Sequence, residues 1–148
     1  ATTDAYAKGD MQWIRTAMKR TNKILFASII GVIIMTIASP IFYKIWIGDM
    51  ATVPWVITIM MGVYTVTYIT IMSYSFFLNG IGALNIQLIT SITSVILFIT
   101  LSIILTQKTH NIISILILMS AVNIPCVIFD ILQFNKIIYG TAKGIWKR

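Results

Sequence analysis

From Met50 to Gln107 the chain runs through 58 positions without one Lys, Arg, Asp, Glu or His. A water-soluble domain of that length cannot leave so much surface uncharged and stay dispersed. About 20 mostly apolar residues suffice to cross the hydrocarbon core as a helix, so this stretch alone is long enough to cross twice. The chain therefore reads as a polytopic membrane protein, and its function is to be sought in transport, membrane enzymology or membrane assembly.

Only 10% of the residues are charged, against about a quarter in an average globular protein. The net charge of +7 would elsewhere point to nucleic acid. Here the basic residues gather at the two chain ends, which is the pattern of a cytoplasmic membrane surface facing anionic lipids, and no nucleic-acid partner is expected. The single cysteine, Cys126, lies in an apolar run, so neither a disulfide framework nor a CxxC site can form. Residues 1–10 hold no initiator Met, no apolar h-region and no small-residue cleavage site, so they are no signal peptide. The chain is expected to be a piece of a longer protein.

Asp10 to Lys23 carries helical periodicity. Met11, Trp13, Ile14, Ala17 and Met18 share one half of the wheel, and Arg15, Lys19, Arg20 and Lys23 lie on the other. Asp10 is placed to cap the first turn. The pattern predicts a helix lying in the membrane interface with its basic face toward anionic lipid; a helix packed on a partner domain is the alternative. Four spans follow, at about 24–47, 53–78, 84–106 and 112–134, and 136–148 is a basic tail. Pro40 and Pro125 fall inside spans one and four, and Pro125 is expected to release the carbonyl of Ala121. The connections are 48–52, the turn Asn79-Gly80-Ile81-Gly82, and 107–111. Four crossings put both ends on one side. The excess of Lys and Arg there makes that side cytoplasmic, with Trp13 and Trp146 at the inner interface and Trp46 and Trp55 at the outer.

Chemistry-bearing constellations are nearly missing from the sequence. The lone His110 falls in a polar connection. There is no Glu, no carboxylate pair for acid–base work, and no His/Cys/Asp/Glu cluster with metal-ligand spacing. No catalytic activity and no cofactor or metal is expected. Two ionisable residues lie inside spans and are functional hypotheses by position. Lys44 either snorkels to the outer interface or lines an aqueous cavity. Asp130, near the inner end of the fourth span, reads as an interfacial carboxylate reaching headgroups or pairing with a basic neighbour. With no carboxylate at mid-membrane depth, the sequence shows no obvious proton or sodium site. The Ser and Thr of spans two to four read chiefly as helix-bridging groups. Asn123, beside the Pro125 break, is the candidate for lining a polar cavity.

Four short motifs carry a resemblance: Ala5-Tyr6-Ala7-Lys8-Gly9-Asp10, Ile45-Trp46-Ile47-Gly48-Asp49, Phe77-Leu78-Asn79-Gly80-Ile81-Gly82 with Gln87, and Lys143-Gly144-Ile145-Trp146-Lys147. In order and spacing the chain resembles the C-terminal part of bacterial polysaccharide flippases, which move O-antigen and capsule repeat units. They belong to the multidrug/oligosaccharidyl-lipid/polysaccharide exporter superfamily. The resemblance implies an all-α membrane bundle forming the last four spans of a two-lobed transporter in the bacterial cytoplasmic membrane. Its substrate would be an undecaprenyl-diphosphate-linked oligosaccharide, and its partner the missing N-terminal part of the same transporter. Lys44 and Asn123 are then the candidate substrate-cavity residues, and Arg15, Lys19, Arg20 and Lys23 the membrane-surface cations. The alternatives are a stand-alone four-helix assembly factor or small exporter and, further off, a membrane-embedded transferase.

Overall fold

The computed structural model describes residues 1–48 and 52–147. The described residues form helices and connections, with no strand among them: α1 (Thr2–Ala7), α2 (Met11–Trp46), α3 (Trp55–Ile81), α4 (Asn85–Thr109), α5 (Ile112–Ile138) and a short 3₁₀ turn, Gly144–Trp146. The last four α-helices are each long and apolar enough to cross a membrane. The connection expected at 48–52 and the basic tail lose 49–51 and Arg148 to the portion outside the described residues.

The start of α2 combines a confirmed expectation with a correction. The Asp10 carboxylate accepts from the Trp13 amide at 2.9 Å and so caps the helix. No break then separates residues 10–23 from the first span, because nothing between Lys19 and Leu25 interrupts a helix. The amphipathic segment is the opening of one 36-residue helix, about 54 Å long at 1.5 Å per residue and well beyond a 30 Å core. Its apolar stripe is covered by protein, not lipid. Ile14 and Met18 are buried in a cluster with Ala5, Phe77, Leu78, Phe134, Ile137 and Ile138. The flat interfacial helix is thus replaced by the packing alternative, with the bundle itself as the partner; Trp13 alone of the stripe stays largely exposed.

This cluster sits at the basic end, where α1, the start of α2, the end of α3 and the end of α5 converge. Phe134 meets Tyr74 and Phe77 edge-on at 5.6 and 4.8 Å between ring centroids, the arrangement favoured by ring quadrupoles. Helix α3 continues through Asn79, Gly80 and Ile81. Only Gly82 leaves the helix, with φ +76° in the left-handed region, and the Ala83 amide closes the turn on the Leu78 carbonyl at 3.0 Å. Gly80 serves a different purpose: a Cβ there would stand 3.2 Å from Thr2 Cβ, and Thr3 Oγ1 donates to the Gly80 carbonyl. Its missing side chain admits α1.

Along the spans, α5 packs on both α3 and α4, and α2 packs on α3. Gly62 makes the α2–α3 contact close, since a Cβ there would lie 2.7 Å from Thr36 Oγ1. Both internal prolines are accommodated without breaking their helices. Pro40 has no N–H for the Thr36 carbonyl, and Ser39 Oγ supplies the donor at 2.8 Å. The expected bridging by hydroxyls is mostly not found. Thr65, Thr67, Thr70 and Ser73 each donate to the carbonyl four residues earlier in α3. A hydroxyl satisfied by its own helix leaves that face suited to lipid.

Candidate functional site

Once those self-satisfied hydroxyls are set aside, the polar groups of the spans gather in two places: between α2 and α3, where Thr58 Oγ1 donates to the Tyr43 hydroxyl at 3.4 Å, and between α3, α4 and α5. A cleft of about 290 Å³ opens between α3, α4 and α5, with Tyr68 from α3, Gln87 and Ser91 from α4, and Asn123, Cys126 and Asp130 from α5 among its lining. One further groove along α4–α5 and one along α2–α3 have apolar walls, such as Leu97, Leu118 and Phe129, or Ile33, Ile59 and Val63.

Asp130 is 1% exposed, although it lies only about 12 Å along α5 from its C-terminal end. The reading of a headgroup-facing or lysine-paired carboxylate is corrected here. Lys136 instead holds its ammonium 3.5 Å above the Trp146 ring, and Asp130 turns inward to α3. One carboxylate oxygen, Oδ2, accepts from Ser75 Oγ at 2.8 Å; the other, Oδ1, is buried with no partner among the described residues. Gln87 Oε1 is likewise buried and unpartnered. A third such oxygen belongs to Gln133, whose Nε2 donates to the carbonyls of Ala83 at 3.2 Å and Trp146 at 3.4 Å. Gln133 thereby ties the α3–α4 turn to the tail.

The neighbouring groups are already committed. Ser94 Oγ donates to the Val122 carbonyl at 2.7 Å and lies 3.2 Å from Cys126 Sγ. Ser94 thus reaches the Val122 carbonyl, next to that of Ala121, which Pro125 leaves without its helical donor. Asn123 lines the cleft, and its Nδ2 donates to the Met119 carbonyl at 2.8 Å. Its Oδ1 remains for a ligand.

Lys44 is not brought to this cleft. It stands exposed in the last turn of α2, at the opposite end of the bundle from the buried cluster. Among the four cations expected at the membrane surface, Lys19, Arg20 and Lys23 are exposed, whereas Arg15 is engaged with α5. Its guanidinium donates to the Ile138 carbonyl at 3.1 Å and lies 5.7 Å from the centroid of the Tyr139 ring.

Sequence reasoning missed Ser75, Gln87 and Gln133 as site residues. One signal was present: Asn123, Cys126, Asp130 and Gln133 recur at spacings of three, four and three, which is a single polar stripe on an otherwise apolar helix. Chemically, the cleft offers hydroxyls, amides and one carboxyl. Among the described residues no three His, Cys, Asp or Glu side chains stand together to hold a metal. No protein-family model, curated protein or solved structure matches the chain.

Proposed function

We propose that the chain forms part of a transporter that flips undecaprenyl-diphosphate-linked oligosaccharide repeat units across the bacterial cytoplasmic membrane. The observation that carries this reading is the α3–α5 cleft, a polar recess enclosed by membrane-spanning helices and lined by groups that bind rather than react. Hydroxyls and amides suit a sugar, while the surrounding apolar grooves suit a prenyl chain. The four motifs at segment ends and turns support the same family. In this reading both chain ends are cytoplasmic, Lys19, Arg20 and Lys23 meet anionic headgroups, and further N-terminal spans complete the transport path. The process is transport without covalent chemistry.

The test is genetic and chemical. A polymer-producing bacterium whose gene for this chain is disrupted should lose surface polysaccharide and accumulate the lipid-linked repeat unit on the inner leaflet. Re-expression should reverse both. Normal surface polymer in the disrupted strain would refute the reading, and loss of the repeat unit itself would point to a transferase.

A further inference from the structure

The chain does not leave the bundle where α5 ends. Gly140 stands in the left-handed region at φ +71°, and the amides of Thr141 and Ala142 both close on the Lys136 carbonyl, at 2.8 and 3.0 Å. Lys143 is then extended, and a second left-handed glycine, Gly144 at φ +57°, turns the chain again. Ile145 and Trp146 thereby enter the groove between α4 and α5, a space of about 450 Å³ that Ile86 and Phe129 also line. The half-buried Trp146 ring lies 3.5 Å from the Lys136 ammonium and 6.2 Å from the Phe129 ring. Little else holds it. Beyond Ala142 one hydrogen bond joins the tail to the helices among the described residues, from Gln133 Nε2 to the Trp146 carbonyl, and at 3.4 Å it is long. The seated turn also carries a cost. Gln133 is 0% exposed and its Oε1 has no donor, a partner that water supplies once the turn lifts. Lys143, Ile145 and Lys147 face outward.

We propose that the 144–147 turn is a releasable strap across the basic end of the α4–α5 groove, drawn off by an anionic membrane surface. Trp146 has two favourable seats. One is the groove, under Lys136. The other is the headgroup layer, where amphipathic rings collect. On a neutral surface Lys143 and Lys147 gain nothing by moving, and the groove keeps the ring. On an anionic surface both lysines are attracted to the headgroups. Lys136 is attracted as well, which weakens its hold on the ring. The moving part begins at Gly144, because Thr141 and Ala142 stay bonded to the end of α5. Gln133 Nε2, shared between the carbonyls of Ala83 and Trp146, then serves Ala83 alone. Release therefore uncovers the groove and unties the α3–α4 turn from the tail, while α5 keeps its contact with that turn. The strap responds to lipid charge and is independent of what the chain transports.

Spin labels on the full chain test this. Leu88→Cys on α4 and Ile145→Cys on the strap, in a Cys126→Ser background, place both labels at exposed positions. Their separation is read by pulsed electron resonance in lipid nanodiscs of phosphatidylcholine alone or mixed equally with phosphatidylglycerol. A single short distance is expected in phosphatidylcholine. In the anionic discs a longer population should grow severalfold, and raised NaCl should shrink it again by screening. Lys143→Gln with Lys147→Gln should suppress that growth. Trp146→Ala should give the long distance in both lipids, with Trp146→Phe keeping more of the short one. These substitutions lie in the exposed or half-buried tail, outside the buried cluster, so the bundle is expected to fold in each. The same distance distribution in both lipids would overturn the proposal, and so would a short distance that persists in Trp146→Ala.

Discussion

Gly31 and Gly62 both lie inside long apolar helices, yet replacing them with Ala should move stability in opposite directions. At Gly31 an added Cβ meets nothing within 4 Å; at Gly62 it would stand 2.7 Å from Thr36 Oγ1. Ordinary contact begins at 3.4 Å, so α2 and α3 must part by about 0.7 Å or Thr36 must turn away. Thr36 is β-branched and its hydroxyl donates to the Val32 carbonyl at 2.8 Å, so turning it gives up a hydrogen bond and a preferred rotamer. Overpacking of this kind costs about 1–3 kcal/mol. Gly→Ala in a helix gains up to about 1 kcal/mol at both positions. Gly31→Ala should therefore stabilise slightly, and Gly62→Ala should lie about 1–3 kcal/mol below it once the shared helix gain cancels. In a Thr36→Ala background the nearest remaining side-chain atom is Cβ at 3.8 Å, and the difference should collapse to within about 0.5 kcal/mol. Reversible unfolding in mixed micelles, run as a double-mutant cycle, measures all of these. Equal effects at Gly31 and Gly62, or a Gly62 penalty that persists without the Thr36 hydroxyl, would show that α2 does not approach α3 in this way.

Other features yield direct tests. Ser75→Ala leaves both oxygens of the Asp130 carboxylate unpaired and should lower stability by about 1–3 kcal/mol, whereas Ser75→Thr keeps the donor and should cost less. Cysteines at Thr109 and Leu84, in a Cys126→Ser background, should label from opposite faces of the membrane, Leu84 only after permeabilisation; labelling from one face would remove the four-span arrangement. Leu84 is chosen over Gly82 because a side chain at φ +76° is strained. Lys44 stands exposed at the far end of α2, outside the cleft, so Lys44→Ala should leave polymer export at the wild-type rate, and a marked loss at normal protein levels would overturn its placement as an interfacial anchor.

The helices were legible because their signal is local. Runs of apolar residues bounded by Pro54, Gly82 and Asn111 give three spans whose ends fall within a few residues of α3 to α5. The first span, expected to open near residue 24, is instead the later part of a helix that starts at Met11. Helices outrun the apolar windows at Ile81, Thr109 and Ile138 because backbone bonding continues into the polar flanks. What the sequence concealed is non-local. Nothing at Ser75 marks it as the partner of a carboxyl 55 positions away. Nothing at Ile14 tells whether lipid or Phe134 will cover it, because both are apolar surroundings and only the fold selects between them. Hydroxyl counts misled for a related reason. A Thr that donates to its own helix and one that faces a neighbour look alike in sequence, and the former predominate in α3.

The Asp130–Ser75 bond also bears on how the chain is assembled. An ionised carboxylate at the centre of an isolated span costs about 2.5–3.5 kcal/mol on the insertion scale and less toward the end where Asp130 lies, and α5 leaves the ribosome last of the four. Its partner hydroxyl sits on α3, two helices earlier. Lipid cannot satisfy Asp130, so α5 gains its full stability in the bilayer only if α3 is still within reach when it emerges. Biogenesis of these spans is thereby a handover, with α3 retained near the insertion site until the last helix arrives. A Ser75 variant should accordingly show its defect during synthesis, as slow or incomplete integration of α5, before any loss of the finished protein is seen.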